Sequence, residues 1–188
     1  MSSKREILID KATELFASGG YTAIGIDRIL AEAGVAKMTM YKHFPSKQHL
    51  ILAVLKQRDE VFRTSLITYV KQHNTPIDKL RAVFKWHHEW FARPDFSGCM
   101  FINASAEFQD ATTDIHQAAA QHKQLLTHYL ETLLGDIFPA SAKKLAVQIN
   151  ILLDGAIVAA QVTSNHNAAK EAWEVAECLL KQSSHQQA

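Results

Sequence analysis

The sequence predicts an all-α protein of eight or nine helices with short connections. Apolar residues recur at intervals of three and four along most of the 188 residues, and no convincing polar–apolar alternation marks a strand. Only seven Gly and four Pro are present, which argues against a turn-rich all-β chain. Apolar residues make up 47% and charged residues 21%, as in an average soluble globular protein.

Three short helices are predicted near the N-terminus. The first runs from about Lys4 to Ser18, and the Gly19-Gly20 pair ends it because glycine adopts the left-handed conformation without steric cost. The second spans about Ile26–Ala33 and ends at Gly34, and the third spans about Lys37–His43. This order of helices and glycines predicts a small N-terminal helical domain.

Turn and cap residues define the remaining helices. Pro45 prevents simple continuation of the third helix, and Ser46 is a suitable N-cap for a long fourth helix. Thr75 and Pro76 are a cap and a first helical residue in the same way. The later helices are expected at about Lys47–Lys71, Pro76–Ala92, a segment containing Phe101, Ala104 and Phe108, Thr113–Leu134, Ser141–Thr163 and Asn167–Gln182.

Charge is distributed unevenly along the chain. Residues 1–58 carry nine Lys/Arg and five Asp/Glu, a net charge of +4, whereas residues 59–188 carry eleven and fourteen, a net charge of −3. A basic head on a mildly acidic body indicates a polyanionic partner for the head alone, although a charge of +4 also arises by chance.

The cysteine count and the hydropathy indicate a cytoplasmic protein. Cys99 and Cys178 are too few for a disulfide framework, which suits a reducing compartment. The N-terminus lacks an apolar run of signal-peptide length, and no later apolar run reaches the roughly 18 residues of a membrane span. We therefore expect no membrane partner.

The second and third helices form a helix-turn-helix candidate. Gly34 supplies the positive φ of the turn, and Ile29, Leu30, Val35 and Met40 are placed to fix the angle between the helices. The third helix then exposes hydrogen-bond donors suited to phosphates and base edges, namely Lys37, Thr39, Tyr41, Lys42 and His43.

Three segments stand out within about residues 5–55, namely ATELFASGGY, AEAGVAKMTMYKHF and FPSKQHL. In these segments the chain resembles the DNA-binding domain of the TetR family of bacterial repressors. The resemblance implies a homodimeric regulator with a helix-turn-helix DNA-binding domain at residues 1–48. It also implies a ligand-binding and dimerisation domain at residues 49–188.

The resemblance places the third helix against the major groove of double-stranded DNA. It implies a phosphate contact for Tyr41, and another for Lys47 at the N-terminus of the fourth helix, where the helix dipole assists. Gly25 stands where many members carry a Ser or Thr cap, so that hydroxyl is absent. The complete predicted DNA-binding set is Lys37, Thr39, Tyr41, Lys42, His43 and Lys47.

Seven of the sixteen aromatic residues fall within 25 positions, which predicts either an aromatic core or a pocket for an apolar small molecule. They are Phe84, Trp86, Trp90, Phe91, Phe96, Phe101 and Phe108. The family resemblance favours a pocket among these helices, while core packing is the simpler explanation for any single aromatic. The predicted ligand-binding residues are His87, Trp90, Phe91, Cys99, Phe101, Asn103 and Phe108.

The segment SGCMFINASAEFQD resembles that of a TetR subgroup with a Gly-Cys pair and a following Ser-Ala-Glu. Some members of that subgroup respond to electrophiles or oxidants. Cys99 near a helix N-terminus is therefore a candidate sensor, with a buried structural thiol as the alternative. Cys178 shares an apolar face with Val175 and Leu179 and is expected to pack.

We predict no metal site and no cofactor. His116, His122 and His128 recur every six residues, and successive members lie about 120° apart around a helix, so they cannot converge on one ion. His87 and His88 also diverge, and neither an HExxH nor a CxxC motif is present.

Apolar stripes on the last two helices are candidates for the dimer interface. By resemblance they form a four-helix bundle across a two-fold axis, and in an isolated chain they are core. The predicted interface residues are Ile149, Leu152, Ala156, Ala160, Trp173, Ala176 and Leu180.

These observations predict a DNA-binding transcriptional regulator, a repressor rather than an activator and not an enzyme. The homodimer would bind a palindromic operator and be released by a small-molecule inducer or by an electrophile or oxidant. One alternative is a constitutive DNA-binding protein without an inducer. A more remote alternative is a thiol enzyme using Cys99 with His87, His88 or His116.

Overall fold

A computed structural model describes residues 3–185 as nine α-helices with no strand in that range. The predicted fold class is confirmed, and every predicted helix is present with ends within about a turn of those expected. The helices are α1 (Lys4–Gly19), α2 (Ile26–Ala33), α3 (Lys37–His43), α4 (Lys47–Val70), α5 (Pro76–Phe91), α6 (Met100–Glu107), α7 (Asp114–Gly135), α8 (Ala142–Thr163) and α9 (Ala168–His185).

The helices pack into two compact units. The first unit consists of two chain segments, the described residues up to Val61 and the segment Cys99–His122. It contains α1–α3, α6 and the N-terminal parts of α4 and α7. The second contains Phe62–Gly98 and the described residues from Lys123 onwards. The predicted domain boundary after residue 48 stays a prediction, and residues 1–2 and 186–188 of those domains lie outside the described residues.

Local sequence sets the helix ends. Ser3 Oγ accepts the Glu6 N–H at 3.2 Å, and the Glu6 carboxylate accepts the Ser3 N–H at 2.8 Å, which forms a capping box at α1. Thr75 Oγ1 accepts the Asp78 N–H at 3.1 Å ahead of Pro76, as predicted. The Gly20 expectation was wrong in detail, because its ψ of 164° lies outside the left-handed helical region.

The apolar face of α1 forms much of the first unit's core. Leu8, Ala12 and Phe16 are all buried, and the Phe16 ring contacts the ring of Tyr21, with 5.2 Å between centroids. Tyr21 is itself completely buried. The Tyr21 side chain therefore anchors the α1–α2 connection to the core of the unit.

Helix α8 packs against α9 and α5 in the second unit. Its length of 22 residues and its mean hydropathy of 1.7 would suit a membrane span on composition alone. Leu145, Ile149 and Leu153 are buried within the unit, and Asp154 forms an ion pair of 2.5 Å with Lys123. These contacts identify α8 as a core helix.

We predict that Gly34→Ala lowers the free energy of unfolding by about 1–2 kcal/mol, measured by urea denaturation. Gly34 has φ 61° and ψ 36°, and a Cβ there would meet no atom within 4 Å, so the loss is purely conformational. Gly135→Ala is the matched control, since its Cβ also meets nothing and it lies in a helix. That change should stabilise the protein by up to about 1 kcal/mol. Equal effects of the two substitutions would contradict the conformational argument.

Candidate nucleic-acid interface

The turn between α2 and α3 is built around Gly34, as predicted. The Val35 N–H donates to the Leu30 carbonyl at 3.2 Å, and Val35 is buried beside Ile29 and Leu30. Met40 on α3 is completely buried. These side chains fix α3 against α2 and direct the opposite side of α3 to solvent.

The solvent-facing side of α3 carries the predicted DNA-binding residues. Lys37, Tyr41, Lys42 and His43 are exposed, and Thr39 is half-buried. Lys37 forms an ion pair of 3.1 Å with Asp27, in which both side chains are more than half exposed. Such a pair contributes little to stability, so a phosphate can replace the carboxylate.

Lys47 at the start of α4 is half-buried, and its side chain is held by another part of the first unit. Its ammonium Nζ donates to the Thr22 carbonyl at 3.1 Å. Burial lowers the pKa of Lys47, and the nearby Glu107 carboxylate opposes that effect. The Lys47 ammonium is thus oriented beside the α1–α2 turn instead of extending freely into solvent.

Glu107 at the end of α6 clamps the α1–α2 turn, and sequence reasoning missed this role. Its carboxylate accepts the Tyr21 N–H at 2.8 Å, the Thr22 N–H at 2.6 Å and the Thr22 hydroxyl. Tyr21 adds a second link, because its hydroxyl donates to the Met100 carbonyl at 3.0 Å. We call this set the Glu107 clamp. It joins α6 to the turn that precedes α2.

Burial and charge have opposite effects on the Glu107 carboxyl. Burial raises its pKa, but the Thr22 hydroxyl, the two N–H donors and the Lys47 ammonium together lower it below the usual value. Burial raises the pKa of Tyr21, so its hydroxyl stays a neutral donor. In the Glu107 clamp, an ionised carboxylate therefore accepts hydrogen bonds from neutral N–H and O–H groups.

A second basic feature of the first unit is a groove of about 500 Å³ between α1, the end of α3 and α4. Arg5, His43, His49 and Lys56 contribute to its lining, with Glu60 as the acidic member. The Arg5 guanidinium lies over the Phe44 ring, 5.4 Å from its centroid. Sequence analysis named only His43 from this set, because contacts between α1 and α4 are not visible in local patterns.

Three predicted ligand-binding residues lie in the second unit and contact one another. His87, Trp90 and Phe91 are buried, with ring centroids 5.8–6.2 Å apart. Phe62 and Phe96 extend this aromatic cluster. Nδ1 of His87 donates to the Val83 carbonyl at 2.8 Å. Within the second unit these residues pack as an aromatic core, and their role in ligand binding stays a prediction.

The other four predicted ligand-binding residues lie in the first unit. Phe101 is buried and stacks on His122, with ring centroids 3.6 Å apart, and His122 donates to Asp59 at 2.7 Å. Phe108 packs edge-on against Tyr21. Cys99 is 3% exposed and precedes α6, and Asn103 is half-buried.

Most residues of the predicted dimer interface are buried within the chain itself. Ile149, Ala156, Ala160, Ala176 and Leu180 are buried between helices of the second unit, and only Leu152 and Trp173 are partly exposed. Their role at a dimer interface stays a prediction.

The exposed apolar residues of α8 and α9 form a different set. On α8 they are Val147, Ile151, Val158 and Val162, and on α9 they include Val175. We call these five residues the outer apolar face. Cys178, three residues after Val175 on α9, is exposed, so the expectation that it packs was wrong.

The three histidines weighed for thiol chemistry with Cys99, namely His87, His88 and His116, donate to backbone carbonyls. Nδ1 of His88 donates to the His166 carbonyl and Nδ1 of His116 to the Phe108 carbonyl, each at 2.8 Å. Among residues 3–185 no three His, Cys, Asp or Glu side chains form a group able to hold a metal ion.

Two family models match the chain over most of its length. Residues 8–54 match the model described as bacterial regulatory proteins of the tetR family, and residues 76–176 match the tetracyclin repressor-like C-terminal domain. The chain belongs to the TetR family. It is a helix-turn-helix transcriptional regulator, and its relatives are regulators rather than enzymes. Homodimers and ligand-binding C-terminal domains are typical of the fold.

Solved structures extend the likeness to the complete fold. The TetR-family transcriptional regulator SCO4454 from Streptomyces coelicolor superimposes with a TM-score of 0.90 at 30% identity and 96% coverage of both chains. The reduced form of NemR from E. coli superimposes with a TM-score of 0.84 at 21% identity, covering 92% of this chain and 94% of NemR. That second likeness concerns the fold alone.

Curated relatives match at lower identity. The HTH-type transcriptional regulator LmrA of Bacillus subtilis is 24% identical over 165 residues, covering 86% of this chain and 88% of LmrA. The regulator YuxN of the same organism is 24% identical over 157 residues, and the aligned part spans 53% of its length. The chain thus spans about half the length of one of these relatives.

We predict that Glu107→Ala increases amide hydrogen exchange at Tyr21 and Thr22 by at least about tenfold, because two N–H groups lose their acceptor. Exchange is measured residue by residue by NMR. Asp110→Ala is the matched control, since Asp110 accepts the N–H and hydroxyl of Thr112 in the same unit without touching the turn. Unchanged protection of Tyr21 in Glu107→Ala would show that the clamp does not hold the turn.

The same clamp predicts a pH dependence. The pKa of Glu107 is lowered in the folded protein, so its stabilising contribution is present above the unfolded pKa near 4.5. That contribution is lost as pH falls through the lower folded pKa. In the wild type we expect the protection of the Tyr21 amide against hydrogen exchange to fall as the pH is lowered through the folded pKa of Glu107. Glu107→Gln, which keeps an acceptor oxygen and does not titrate, should not show that component.

Proposed function

We propose that the protein is a ligand-responsive repressor whose homodimer binds a palindromic operator through α3 and the start of α4. The observation that carries this proposal is that one side of α3 is buried and the opposite side is exposed. Ile29, Val35 and Met40 fix the helix, and Lys37, Tyr41, Lys42 and His43 face solvent. A short, firmly seated helix with exposed donors is what major-groove recognition requires.

Phosphate contacts position the reader, and base contacts specify the sequence. We assign Tyr41 and Lys47 to phosphates, and Thr39 and Lys42 to base edges. Lys37 and His43 serve either purpose. The basic groove beside His43 supports a wider phosphate footprint, because Arg5 and Lys56 add positive charge next to α3.

The outer apolar face is the surface that we assign to dimerisation. Its α8 residues follow each other at intervals of four, seven and four, which keeps them on one side of the helix. Ile151 is 63% exposed and Val162 is 74% exposed in the single chain. Asp154, which is paired with Lys123, interrupts this apolar stripe between Ile151 and Val158. We infer that a second copy related by a two-fold axis covers the stripe.

An inducer releases the protein from DNA if it favours a state in which the two helix-turn-helix domains of the dimer are spaced wrongly for the operator. We assign the Glu107 clamp to this coupling, since it joins α6, which carries Phe101 and Asn103, to the turn before α2. The inducer must bind the DNA-incompetent state more tightly. Because Cys99 is 3% exposed, a reversible small-molecule inducer is favoured over a thiol-reactive one.

We place the protein in the cytoplasm, where the DNA is. The constitutive alternative would leave operator affinity unchanged by every ligand and oxidant tested. The enzyme alternative is disfavoured because Cys99, its proposed nucleophile, is only 3% exposed.

We predict that Tyr41→Phe and Lys47→Ala weaken binding to the operator and to unrelated duplex DNA by similar factors. Loss of the Tyr41 hydroxyl removes about 1 kcal/mol, or roughly fivefold in affinity. Loss of the Lys47 charge should also reduce the slope of log affinity against log salt by about 1. The operator is obtained by selection from random duplexes at two salt concentrations, and affinities by fluorescence anisotropy.

Lys143→Ala is the control for charge, since Lys143 is an exposed lysine on α8 in the second unit. It should leave both affinities unchanged. Thr39→Ala should change the selected sequence. A change in sequence preference with Lys47→Ala, at unaltered non-specific affinity, would show that Lys47 reads a base instead of a phosphate.

We predict that Ile151→Glu raises the dimer dissociation constant at least about 100-fold. Symmetry places two unpaired carboxylates in the interface, and each lacks compensation there. Analytical ultracentrifugation measures the constant. Ile77→Glu is the control, because Ile77 on α5 is an exposed isoleucine outside the proposed interface. A wild-type dissociation constant for Ile151→Glu would exclude the outer apolar face.

A further inference from the structure

We propose that a pocket between α5 and α9 binds a small organic anion with an apolar body. The pocket encloses about 230 Å³ within the second unit, apart from all residues assigned above to DNA or to the inducer. Residues of α5 and α9 line it, among them Arg81, Phe84, Lys85, Lys170, Trp173 and Glu174. The proposal does not rest on DNA binding.

The floor of the pocket is apolar. The rings of Phe84 and Trp173 meet edge to face, with centroids 5.3 Å apart and an interplanar angle of 63°. Phe84 is almost completely buried, Trp173 is partly exposed, and Ala169 leaves space between α5 and α9. Such a surface binds an aromatic ring or a short alkyl chain through burial and edge-to-face contact.

The rim of the pocket is cationic. Arg81, Lys85 and Lys170 contribute three positive charges against the single carboxylate of Glu174. The nearby Glu177 offsets part of the Arg81 charge, since it pairs with Arg81 at 3.3 Å and with Lys181 at 2.9 Å, which leaves Lys85 and Lys170 against Glu174. The rim therefore favours a negatively charged ligand.

Two rim residues are positioned in a way that suits an anion. The Arg81 guanidinium lies over the Trp173 ring, 5.3 Å from its centroid, which holds a positive charge directly above the apolar floor. Lys85 is exposed and has no ion pair with any residue in the range 3–185. An anion whose apolar body lies against the floor of the pocket can therefore pair with Lys85 without displacing a protein carboxylate.

The pocket stays open in the proposed dimer. Trp173 and Val175 are two positions apart on α9, which places their side chains roughly 200° apart around the helix axis. The pocket side of α9 thus points away from the outer apolar face. Its volume suits one ring with a short chain, and we infer arylalkanoates or short alkanoates as the ligand class.

The test uses 4-phenylbutyrate and its neutral isostere 4-phenylbutyramide as probes. The intact ¹⁵N-labelled protein is titrated with each, and the indole N–H signals of the three tryptophans are followed by NMR. The Trp173 signal is assigned with Trp173→Phe. We expect the anion to shift the Trp173 signal with an affinity at least about tenfold higher than that of the amide. The difference should shrink in high salt.

Charge variants locate the anion on the rim. Lys85→Gln combined with Lys170→Gln should weaken 4-phenylbutyrate at least about tenfold and leave the amide unchanged. Lys143→Gln combined with Lys144→Gln is the matched control, since both lysines are exposed on α8 away from the pocket. All four positions are exposed, so the fold is retained.

Several results would overturn the proposal. Equal affinity for anion and amide would reduce the pocket to an apolar cleft. Unchanged anion binding in Lys85→Gln with Lys170→Gln would remove the cationic rim from recognition. Shifts confined to Trp86 and Trp90 would place the anion elsewhere, and no shift at all would exclude the site. None of these readouts involves DNA, so failure of the proposed repressor function is a separate result.

Discussion

The hydrogen bonds accepted by the Glu107 carboxylate are the interaction on which the architecture of the first unit depends. The carboxylate accepts three hydrogen bonds from the α1–α2 turn, and Tyr21 returns one to the α6 backbone. Tyr21 is completely buried, and leaving a buried N–H without an acceptor costs about 1–3 kcal/mol. Because the acceptor lies on α6, the turn before the helix-turn-helix depends on a residue 85 positions or more further along the chain.

The same carboxylate also orients a predicted DNA contact. Lys47 donates to the Thr22 carbonyl, and Thr22 is held in turn by Glu107. A displacement of α6 therefore changes the position of the turn and the surroundings of the Lys47 ammonium together. This arrangement gives the proposed inducer response a physical route that stays within one compact unit.

Local sequence predicted the helices and the helix-turn-helix because their determinants are local: apolar spacing, the Thr75 cap and the positive φ of Gly34. The Glu107 clamp was missed because its partners are 85 and 86 residues away and no pattern links them. The dimer-interface residues stay a prediction, since α8 is apolar on two sides and the sequence pattern alone cannot choose between them. Only packing separates Ile149, which is buried, from Ile151, which is exposed.

The apolar character of α8 on two sides follows from the two surfaces that it serves. One side packs against α9 and α5 inside the chain, and the other carries Val147, Ile151, Val158 and Val162 to the surface. A helix that needs one apolar side for a core and another for a partner has the mean hydropathy of a membrane span. The polar break is Asp154, which lies between Ile151 and Val158 on the outer side, and its ion pair with Lys123 compensates the charge there. The hydropathy of α8 is thus accounted for by a core and the proposed dimer, without a lipid bilayer.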